Sequence, residues 1–492
     1  MRSRALKTRT AHSLKWNLVD RVSTQVLYAV TGIVLARQLS PSDFGIVGAA
    51  LVFQAFANLL VDGGFSYALL QSRRNTRLDY STVLWFNIGM SLLMYAVLYL
   101  CAPFIADWFG GDQRIVPVAR VLFIALVINA FSSVPSFRLT KAMEVRGVAV
   151  ANSLGLVVGG VVGIALALTG AGPWAIVAQT LANAAVKALV LWTLTTWRPL
   201  RRFSTRSLRR FFGLGWRMML TSFLNTVFLN VYSFFIGNQA GLAPLGYYTQ
   251  ADKWSKMGTA SLSQVLTSSF VPALSTAQDQ PERFRQLCSK MTRFTAYVLF
   301  PAMIWLMVAA RPVFHALFGM KWDPAILLFQ ILLLRGIFVV LTSLANNFLL
   351  ALGRGQDIVR LEVFRDVLAL VALAFTFPYM TASTPSQPAW GLAILLWGQL
   401  AASLIAWVAA VWTALRRSGA SAGRYLLDLA PYCALTMVTV PAMAAGGALF
   451  ASPWAKLAVE GLIALTIYLL VNRLLGSKIQ KDVLEYLKRA FR

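Results

Sequence analysis

Apolar stretches of about 20 residues follow one another along nearly the whole 492-residue chain, separated by short loops. Hydrophobic residues make up 58% of the sequence and charged residues only 13%. A helix of ~20 apolar residues crosses a bilayer core, and lipid admits only helices or closed barrels because unpaired backbone groups are too costly there. Barrel strands alternate apolar and polar residues, which these uniformly apolar stretches do not. The sequence therefore predicts an all-α integral membrane protein.

Hydropathy and loop residues together predict fourteen transmembrane helices. Turn sequences support several of the joints between them, among them SPSD at 40–43 and GAGP at 170–173. The predicted spans are 16–38, 44–69, 81–104, 116–136, 148–169, 173–197, 215–238, 250–274, 291–310, 324–351, 361–379, 389–413, 429–450 and 454–473.

Most of the 45 lysine and arginine residues fall on one side of the predicted membrane. With the N-terminus inside, the outer loops hold only Arg37, Arg114, Arg311, Lys321 and Lys456. Since basic loops stay on the cytoplasmic side, both termini are predicted to be cytoplasmic. The net charge of +27 is then explained by topology and by attraction to anionic membrane lipids, and no nucleic-acid partner is expected.

A basic segment at 197–215 divides the chain. Its Phe203, Leu208, Phe211 and Phe212 are predicted to face lipid, as in an interfacial helix. The joint LSPSDFG at 39–45 is loosely similar to LAPLG at 242–246, which lies about 200 residues further along the chain. The division predicts two six-helix lobes, 1–207 and 208–424, related as parallel repeats. An extra helix pair with a basic cytoplasmic tail follows at 425–492.

The sequence offers little material for catalysis. It contains no Gly-rich loop ending in Gly-Lys-Ser or Gly-Lys-Thr, and its two histidines, His12 and His315, lie far apart. The cysteines, Cys101, Cys288 and Cys433, lack the spacing of a metal site. No enzymatic activity, cofactor or metal is therefore expected, and the short loops argue against a polysaccharide polymerase.

Charged side chains inside the predicted spans are the best candidates for function, because each costs ~2.5–3.5 kcal/mol on insertion scales and should face protein or a water-filled cavity. We predict substrate binding by the basic ones, which are Arg21, Arg120, Lys187, Lys253, Lys256 and Arg335. The acidic ones, chiefly Asp20, Asp62 and Asp252, could couple transport to H⁺ or Na⁺.

Each of these charged residues also has a structural interpretation. Arg21, Arg120 and Lys187 could extend to the headgroups, whereas Arg335 lies too deep in its span to do so easily. Asp252 and Lys256 could form an i,i+4 ion pair, which would make Lys256 structural.

Small, amide and aromatic residues in the spans carry two further predictions. Gly155, Gly159 and Gly163 repeat at four-residue spacing, which favours close helix packing over a functional hinge. Asparagines, glutamines and aromatic rings are frequent in the spans, and such a mixture suits a carbohydrate. Helix–helix hydrogen bonds and interfacial belts would explain these residues equally well.

Three segments resemble a known family of transporters. Residues Val34 to Gln71 (VLARQLSPSDFGIVGAALVFQAFANLLVDGGFSYALLQ) resemble the opening of polysaccharide-transporter flippases, as does LFGMKW at 317–322 followed by ALGR at 351–354. These flippases, of the Wzx or colanic-acid and O-antigen type, belong to the multidrug/oligosaccharidyl-lipid/polysaccharide exporter superfamily. The resemblance implies a MATE-like fold of two six-helix lobes around a central cavity with extra C-terminal helices, and a basic residue where Arg21 stands.

The resemblance also implies a substrate, an oligosaccharide repeat unit on undecaprenyl pyrophosphate. Such a unit would move from the inner to the outer leaflet of a bacterial plasma membrane for exopolysaccharide, capsule or O-antigen assembly, alongside a polymerase and other assembly proteins. Two other functions stay open: a drug/cation antiporter of the same superfamily, and a peptidoglycan-precursor flippase.

Overall fold

The structure is a computed structural model that describes Trp16, Asp20 and residues 23–72, 74–381, 389–477 and 479–481. Within these residues every regular element is helical, which confirms the all-α prediction. Two short 3-10 segments, Met320–Trp322 and Phe377–Tyr379, follow α12 and α14. The α-helices are α1 (23–38), α2 (Pro41–Asp62), α3 (Phe65–Gln71), α4 (Arg77–Trp108), α5 (Ile115–Leu122), α6 (Ile124–Lys141), α7 (Val145–Leu168), α8 (Trp174–Leu194), α9 (Thr205–Gln239), α10 (Leu242–Ser275), α11 (Pro281–Val308), α12 (Ala310–Leu317), α13 (Asp323–Ala351), α14 (Gly355–Thr376), α15 (Trp390–Ser418), α16 (Ala422–Ala448) and α17 (Pro453–Leu474).

Eleven helical segments of the described chain are long and apolar enough to cross a membrane. The protein is therefore a multi-pass membrane protein, and these segments coincide with eleven of the fourteen predicted spans. The other three predicted spans, 16–38, 250–274 and 361–379, are not among these eleven segments, and the reasons can be identified. α10 and α14 carry groups of charged side chains, and the span at 16–38 is described only in part.

The chain forms two compact units, unit 1 over Met1–Thr249 and unit 2 over Gln250–Arg492, and the division falls inside α10. In unit 1, α7 packs along α8, α6 packs against α4 and α8, and α9 packs against α2. In unit 2, α15 packs against α13 and α14, while α11 and α17 both pack against α16. The predicted division into 1–207, 208–424 and 425–492 stays a prediction.

Capping boxes fix the starts of α2 and α4. The hydroxyl of Ser40 accepts from the backbone N–H of Asp43, and the Asp43 carboxylate accepts from the Ser40 N–H at 2.9 Å. Thr76 and Asp79 make the same reciprocal pair, with 2.8 Å between the Thr76 N and the Asp79 carboxylate. Such a box satisfies two backbone donors that a helix start leaves free, so the joint predicted at 40–43 is confirmed as a helix start.

The glycine repeat of α7 lies against α8. A Cβ at Gly155 would lie 2.6 Å from Oδ1 of Asn183, and one at Gly159 would lie 2.7 Å from the carbonyl oxygen of Gln179. At Gly163 the nearest atom would be Cβ of Gln179, at 2.8 Å. Only glycine permits this approach between two helix backbones, and the prediction of close packing is confirmed.

The basic segment at 197–215 is not a separate interfacial helix, so that prediction is wrong. From Thr205 onward it belongs to α9, and Phe211 is fully buried in the core of unit 1 beside Phe65. The reason is that α9 packs against α3, which places the Phe211 ring inside the core of unit 1. Leu208 also packs against this core, whereas Phe203 and Phe212 are exposed.

Candidate functional site

A polar cavity of about 470 Å³ lies among four helical segments of unit 1. Cavities of this size are typical of small-molecule sites. Most of its side chains are amides and hydroxyls, contributed by the α1 region, α6, α7 and α8. The cavity is lined by Asp20, Thr24, Gln25, Tyr28, Asn129, Asn152, Leu156, Thr180, Asn183, Ala184 and Lys187.

Helical spacing explains how distant polar residues converge on this cavity. Thr24 and Tyr28 are four residues apart, so they share one face of α1, and Asp20 stands four positions before Thr24. On α8, Asn183 and Lys187 are likewise four residues apart. The close packing of the α7 glycines on α8 brings Asn183 to the wall of the cavity.

Hydrogen bonds orient the carboxylate of Asp20 at the cavity. The Asn152 amide donates towards both oxygens of Asp20, at 3.3 and 3.4 Å. The hydroxyls of Ser23 and Ser153 lie 3.2 Å apart and make a second link between the same two helices. Asp20 is thus held at the junction between the first helix and α7, with its carboxylate facing the polar space.

Several lining side chains remain available to a ligand. Within the described residues, Lys187 forms no salt bridge, although Asp20 acts on it electrostatically. The side-chain amides of Asn129 and Asn183 have no hydrogen-bond partner in the described part of the chain. An ammonium group and two free amides can together bind an anionic group and its neighbouring hydroxyls.

The structure brings together two of the residues predicted from sequence, Asp20 and Lys187. Arg21, the residue after Asp20, lies outside the described residues. Arg120 is in a different setting, because its guanidinium lies 4.3 Å from the ring centroid of Tyr99 and Nε donates to the Tyr99 carbonyl at 3.3 Å. Tyr99 is itself exposed, so Arg120 packs on the outside of α4.

The remaining predicted residues have separate partners. Asp62 ends α2 and accepts a hydrogen bond from Ser66. In unit 2, Lys256 and Asp252 form the i,i+4 ion pair that the spacing allowed, with 2.7 Å between Nζ and Oδ2.

The two other basic residues of unit 2 have no carboxylate partner within the described residues. Lys253 is exposed, and its ammonium lies 5.7 Å from the ring centroid of Trp254. Arg335 is half-buried in α13 and donates from Nε to the hydroxyl of Ser403 at 3.1 Å.

Sequence reasoning missed a charged cluster on α14. Arg365 forms ion pairs with Glu362 and, at 2.8 Å, with Asp366. The amide of Asn346 on α13 donates to Glu362 at 3.1 Å. Arg365 lies inside the predicted span 361–379 and should have been counted there. The spacing of 362, 365 and 366 on one helix face was the signal that could have found it.

A buried acid in the C-terminal helices was missed too. Glu460 of α17 is 7% exposed, and its Oε2 has no hydrogen-bond partner among the described residues. Glu362, Asp366 and Glu460 all lie inside predicted spans. The spans therefore hold more acidic residues than the three on which the sequence analysis relied.

The neutral lining of the unit 1 cavity was also missed, above all Asn129, Asn152 and Asn183. Each lies in a predominantly apolar span, and only the fold shows that they face one space. Within the described residues no group of three or more His, Cys, Asp or Glu side chains is placed to hold a metal ion.

The chain is similar to curated proteins of polysaccharide biosynthesis. The chain is 24% identical over 360 residues to the succinoglycan biosynthesis transport protein ExoT of Rhizobium meliloti (strain 1021), covering 73% of each chain. It is 24% identical over 377 residues to the lipopolysaccharide biosynthesis protein WzxC of Escherichia coli (strain K12), covering 75% of each.

The fold is shared with a solved membrane protein. The lipid II flippase MurJ in its inward closed conformation superposes with a TM-score of 0.67 and 12% identity, covering 94% of this chain and 99% of that one. A likeness at this level of identity shows the fold alone, and it confirms the predicted fold class.

A family model described as polysaccharide biosynthesis protein matches residues 34–327, which is more than half of the chain. The matched range includes α2 to α12 and most of the helices that line the cavity. The chain therefore belongs to this family of polysaccharide biosynthesis proteins.

Proposed function

We propose that the protein is a flippase for oligosaccharide repeat units linked to undecaprenyl pyrophosphate. It moves them from the inner to the outer leaflet of the bacterial plasma membrane, where they enter a surface polysaccharide. The observation that carries this proposal is the unit 1 cavity, in which amides and hydroxyls surround one amine, Lys187, and one carboxylate, Asp20. The family membership and the transport relative support the same substrate class.

The lining of the cavity suits a sugar bearing a phosphate. The amides of Asn129 and Asn183 offer donors and acceptors to hydroxyl groups, and the ring of Tyr28 offers an apolar face to the C–H side of a sugar ring. The Lys187 ammonium can pair with a phosphate oxygen, a charge-assisted contact that is stronger than a neutral hydrogen bond. Drug-like cations would instead require a surplus of carboxylates at this position.

Transport in this proposal proceeds by alternating access, in which the site is exposed first to one side of the membrane and then to the other. No catalytic step is involved. An inside-negative potential favours outward movement of an anionic headgroup by ~2.3 kcal/mol per charge per 100 mV. H⁺ or Na⁺ coupling through an acid such as Asp20 would add a second source of energy.

The proposed location is the bacterial plasma membrane, with both termini in the cytoplasm. The distribution of basic residues between the predicted loops supports this orientation. The lipid-linked substrate would be made by glycosyltransferases on the inner side, and a polymerase on the outer side would receive it. Such assembly proteins are the proposed partners.

Deletion of the gene in the source bacterium tests the proposal. We expect the lipid-linked repeat unit to accumulate in the inner leaflet and the surface polysaccharide to disappear, with both reversed by the wild-type gene. Arg335→Gln should fail to restore export although the protein is present in the membrane, because the membrane-embedded charge is lost. Arg473→Gln, which changes an exposed arginine of the last turn of α17, should restore export fully and serves as the control.

The two alternative functions predict different outcomes of the same deletion. Normal surface polysaccharide together with sensitivity to cationic drugs would identify a drug/cation antiporter. Loss of viability with accumulation of peptidoglycan precursor would identify a peptidoglycan-precursor flippase. Either result contradicts the proposal.

A further inference from the structure

A groove of about 510 Å³ lies at one end of the α14–α15 pair in unit 2, separate from the Lys187 cavity of unit 1. It combines three arginines with one carboxylate and two aromatic rings. The side chains that matter are Asp357, Arg360 and Phe364 on α14, and Trp412, Arg416 and Arg417 on α15. Neither the fold comparison nor the proposed transport function assigns a role to this groove.

The groove has a surplus of positive charge. Arg417 donates from Nε and Nη2 to the buried carboxylate of Asp357 at 2.9 and 3.4 Å, and Nη1 of Arg360 lies 3.8 Å from the same carboxylate. Arg416 is exposed and has no hydrogen bond or ion pair within the described residues. Three guanidinium groups therefore share one acid, and the lining carries two uncompensated positive charges.

Apolar surface begins one helical turn away from this charge on both helices. Phe364 follows Arg360 by four residues and is 41% exposed, and Trp412 precedes Arg416 by four residues and is 64% exposed. Beyond them the same helices expose further large apolar side chains, among them Val367 and Val408. Each helix thus presents a guanidinium towards its end and an aromatic ring towards its apolar middle.

We propose that this groove binds an anionic phospholipid, with the phosphate between Arg360 and Arg416 and the acyl chains along Phe364 and Trp412. Guanidinium groups bind phosphate oxygens through two parallel hydrogen bonds. Basic pockets between transmembrane helices bind the headgroups of anionic lipids. The proposed topology places this end of α14 and α15 at the cytoplasmic leaflet, so only the choice of leaflet rests on the proposed function.

The arrangement of the groove favours a lipid over a soluble anion. Inorganic phosphate would be held by the arginines alone and would leave Trp412 and Phe364 unused. A zwitterionic lipid would bring a positive choline group towards Arg416, which has no acid of its own to offset it. A lipid with a net negative headgroup and acyl chains uses both halves of the site.

Direct binding to the purified, full-length protein in a mild uncharged detergent tests the proposal. Short-chain phosphatidylglycerol is titrated against wild type and against Arg360→Gln/Arg416→Gln. We expect the variant to bind about tenfold more weakly, because two charge-assisted contacts to phosphate are lost. Arg417 is left unchanged because it pairs with buried Asp357. The control, Arg473→Gln, removes another exposed arginine at the end of a different helix and should bind as wild type does.

The comparison ligands distinguish the source of the phosphate. Phosphatidylcholine of the same chain length and inorganic phosphate should both bind at least tenfold more weakly than phosphatidylglycerol. Equal binding of phosphatidylglycerol by wild type and the double variant would overturn the proposal, as would competition by inorganic phosphate at equal strength. Preference for undecaprenyl phosphate over phosphatidylglycerol would overturn the assignment to a resident phospholipid. None of these outcomes depends on transport activity.

Discussion

Gly45 packs directly against the carbonyl group of Leu242, so closely that a Cβ at position 45 would lie 1.9 Å from the carbonyl oxygen. The contact is reciprocal, because a Cβ at Gly246 would lie 1.9 Å from the carbonyl oxygen of Pro41. Pro41 begins α2 and Leu242 begins α10. The two joints with similar sequences therefore pack against each other, the glycine of each lying on a backbone carbonyl of the other.

This contact predicts a large effect of adding a single methyl group. Gly45→Ala and Gly246→Ala should each lower the free energy of unfolding by about 3 kcal/mol, the upper part of the range for overpacking, because the obstructing atom belongs to a backbone. Thermal unfolding in detergent measures the effect. The control is Gly89→Ala in α4, where a Cβ would meet nothing within 4 Å. Equal unfolding temperatures for the three variants would show that the joints can separate without cost.

The position of Lys187 in the unit 1 cavity predicts that transport requires a positive charge at residue 187. Lys187→Met removes the ammonium group that Lys187 contributes to the unit 1 cavity while preserving side-chain length, and export should fall at least about tenfold because contacts to charged groups contribute ~1.5–3 kcal/mol. Lys187→Arg keeps the charge and should retain most of the export. Surface polysaccharide is measured in a strain whose own copy is deleted, with the amount of protein in the membrane as reference.

The control for Lys187 lies on the same helix. Leu189, two positions further along α8, is 67% exposed, and Leu189→Met should leave export unchanged. Undiminished export by Lys187→Met would remove the cavity amine from the proposed mechanism.

Lys253 and Lys256 form a second matched comparison. Lys256 is paired with Asp252, whereas Lys253 has no carboxylate partner in the described part of the chain. Lys253→Met should lower export several-fold, because an unpaired ammonium is free to contact an anionic headgroup. Asp252→Asn/Lys256→Met removes both members of the ion pair together and should retain export, since an i,i+4 pair contributes only about 0.2–0.5 kcal/mol.

The same double variant tests ion coupling. If export is lost in Asp252→Asn/Lys256→Met while protein levels are normal, the pair takes part in transport and Asp252 becomes the preferred coupling acid. The export assay is the one used for Lys187, so the two experiments share their reference strain.

Local features of the fold could be predicted from the sequence because a few neighbouring residues determine them. The capping residues Ser40 and Asp43 fix a helix start within three positions. The glycines of α7 indicate close packing wherever their partner helix lies. The pair Asp252–Lys256 follows from helical spacing alone. None of these requires knowledge of which helices are neighbours.

The cavity could not be predicted in the same way, because it depends on which helices are neighbours. Asn129, Asn152 and Asn183 lie on three different helices and share a space only because α6, α7 and α8 pack together. Arg120 and Lys187 look alike in hydropathy, yet one packs on an exposed tyrosine and the other lines the cavity. A single sequence cannot distinguish them, because burial in a predicted span does not tell which side of the helix meets protein.

Asp79 of α4 binds two residues in the first turns of α9, and this contact predicts how sensitive the preceding basic segment is to protease. Its carboxylate is only 4% exposed and accepts from Ser207 at 2.7 Å and from Arg210 at 2.8 Å. Asp79→Ala leaves these donors without their acceptor and should destabilise this contact by about 1–3 kcal/mol, because Ser207 loses its partner while the half-exposed Arg210 is solvated by water. Trypsin should then cleave the basic segment at 198–210 much faster than in wild type.

The neighbouring hydrogen bonds set the comparison for this experiment. Leu200 donates its N–H to Ser81 at 2.9 Å and accepts from the Trp85 indole at 2.8 Å, so the segment has contacts to α4 beyond Asp79. Cleavage should therefore accelerate without complete unfolding, and the fragments should remain associated in detergent. Asp107→Ala changes an exposed aspartate of the same helix and should be cleaved at the wild-type rate. If Asp79→Ala is cleaved no faster than Asp107→Ala, then the other contacts of the segment, among them those of Leu200, suffice to hold it on α4 and the ion pair with Arg210 is dispensable.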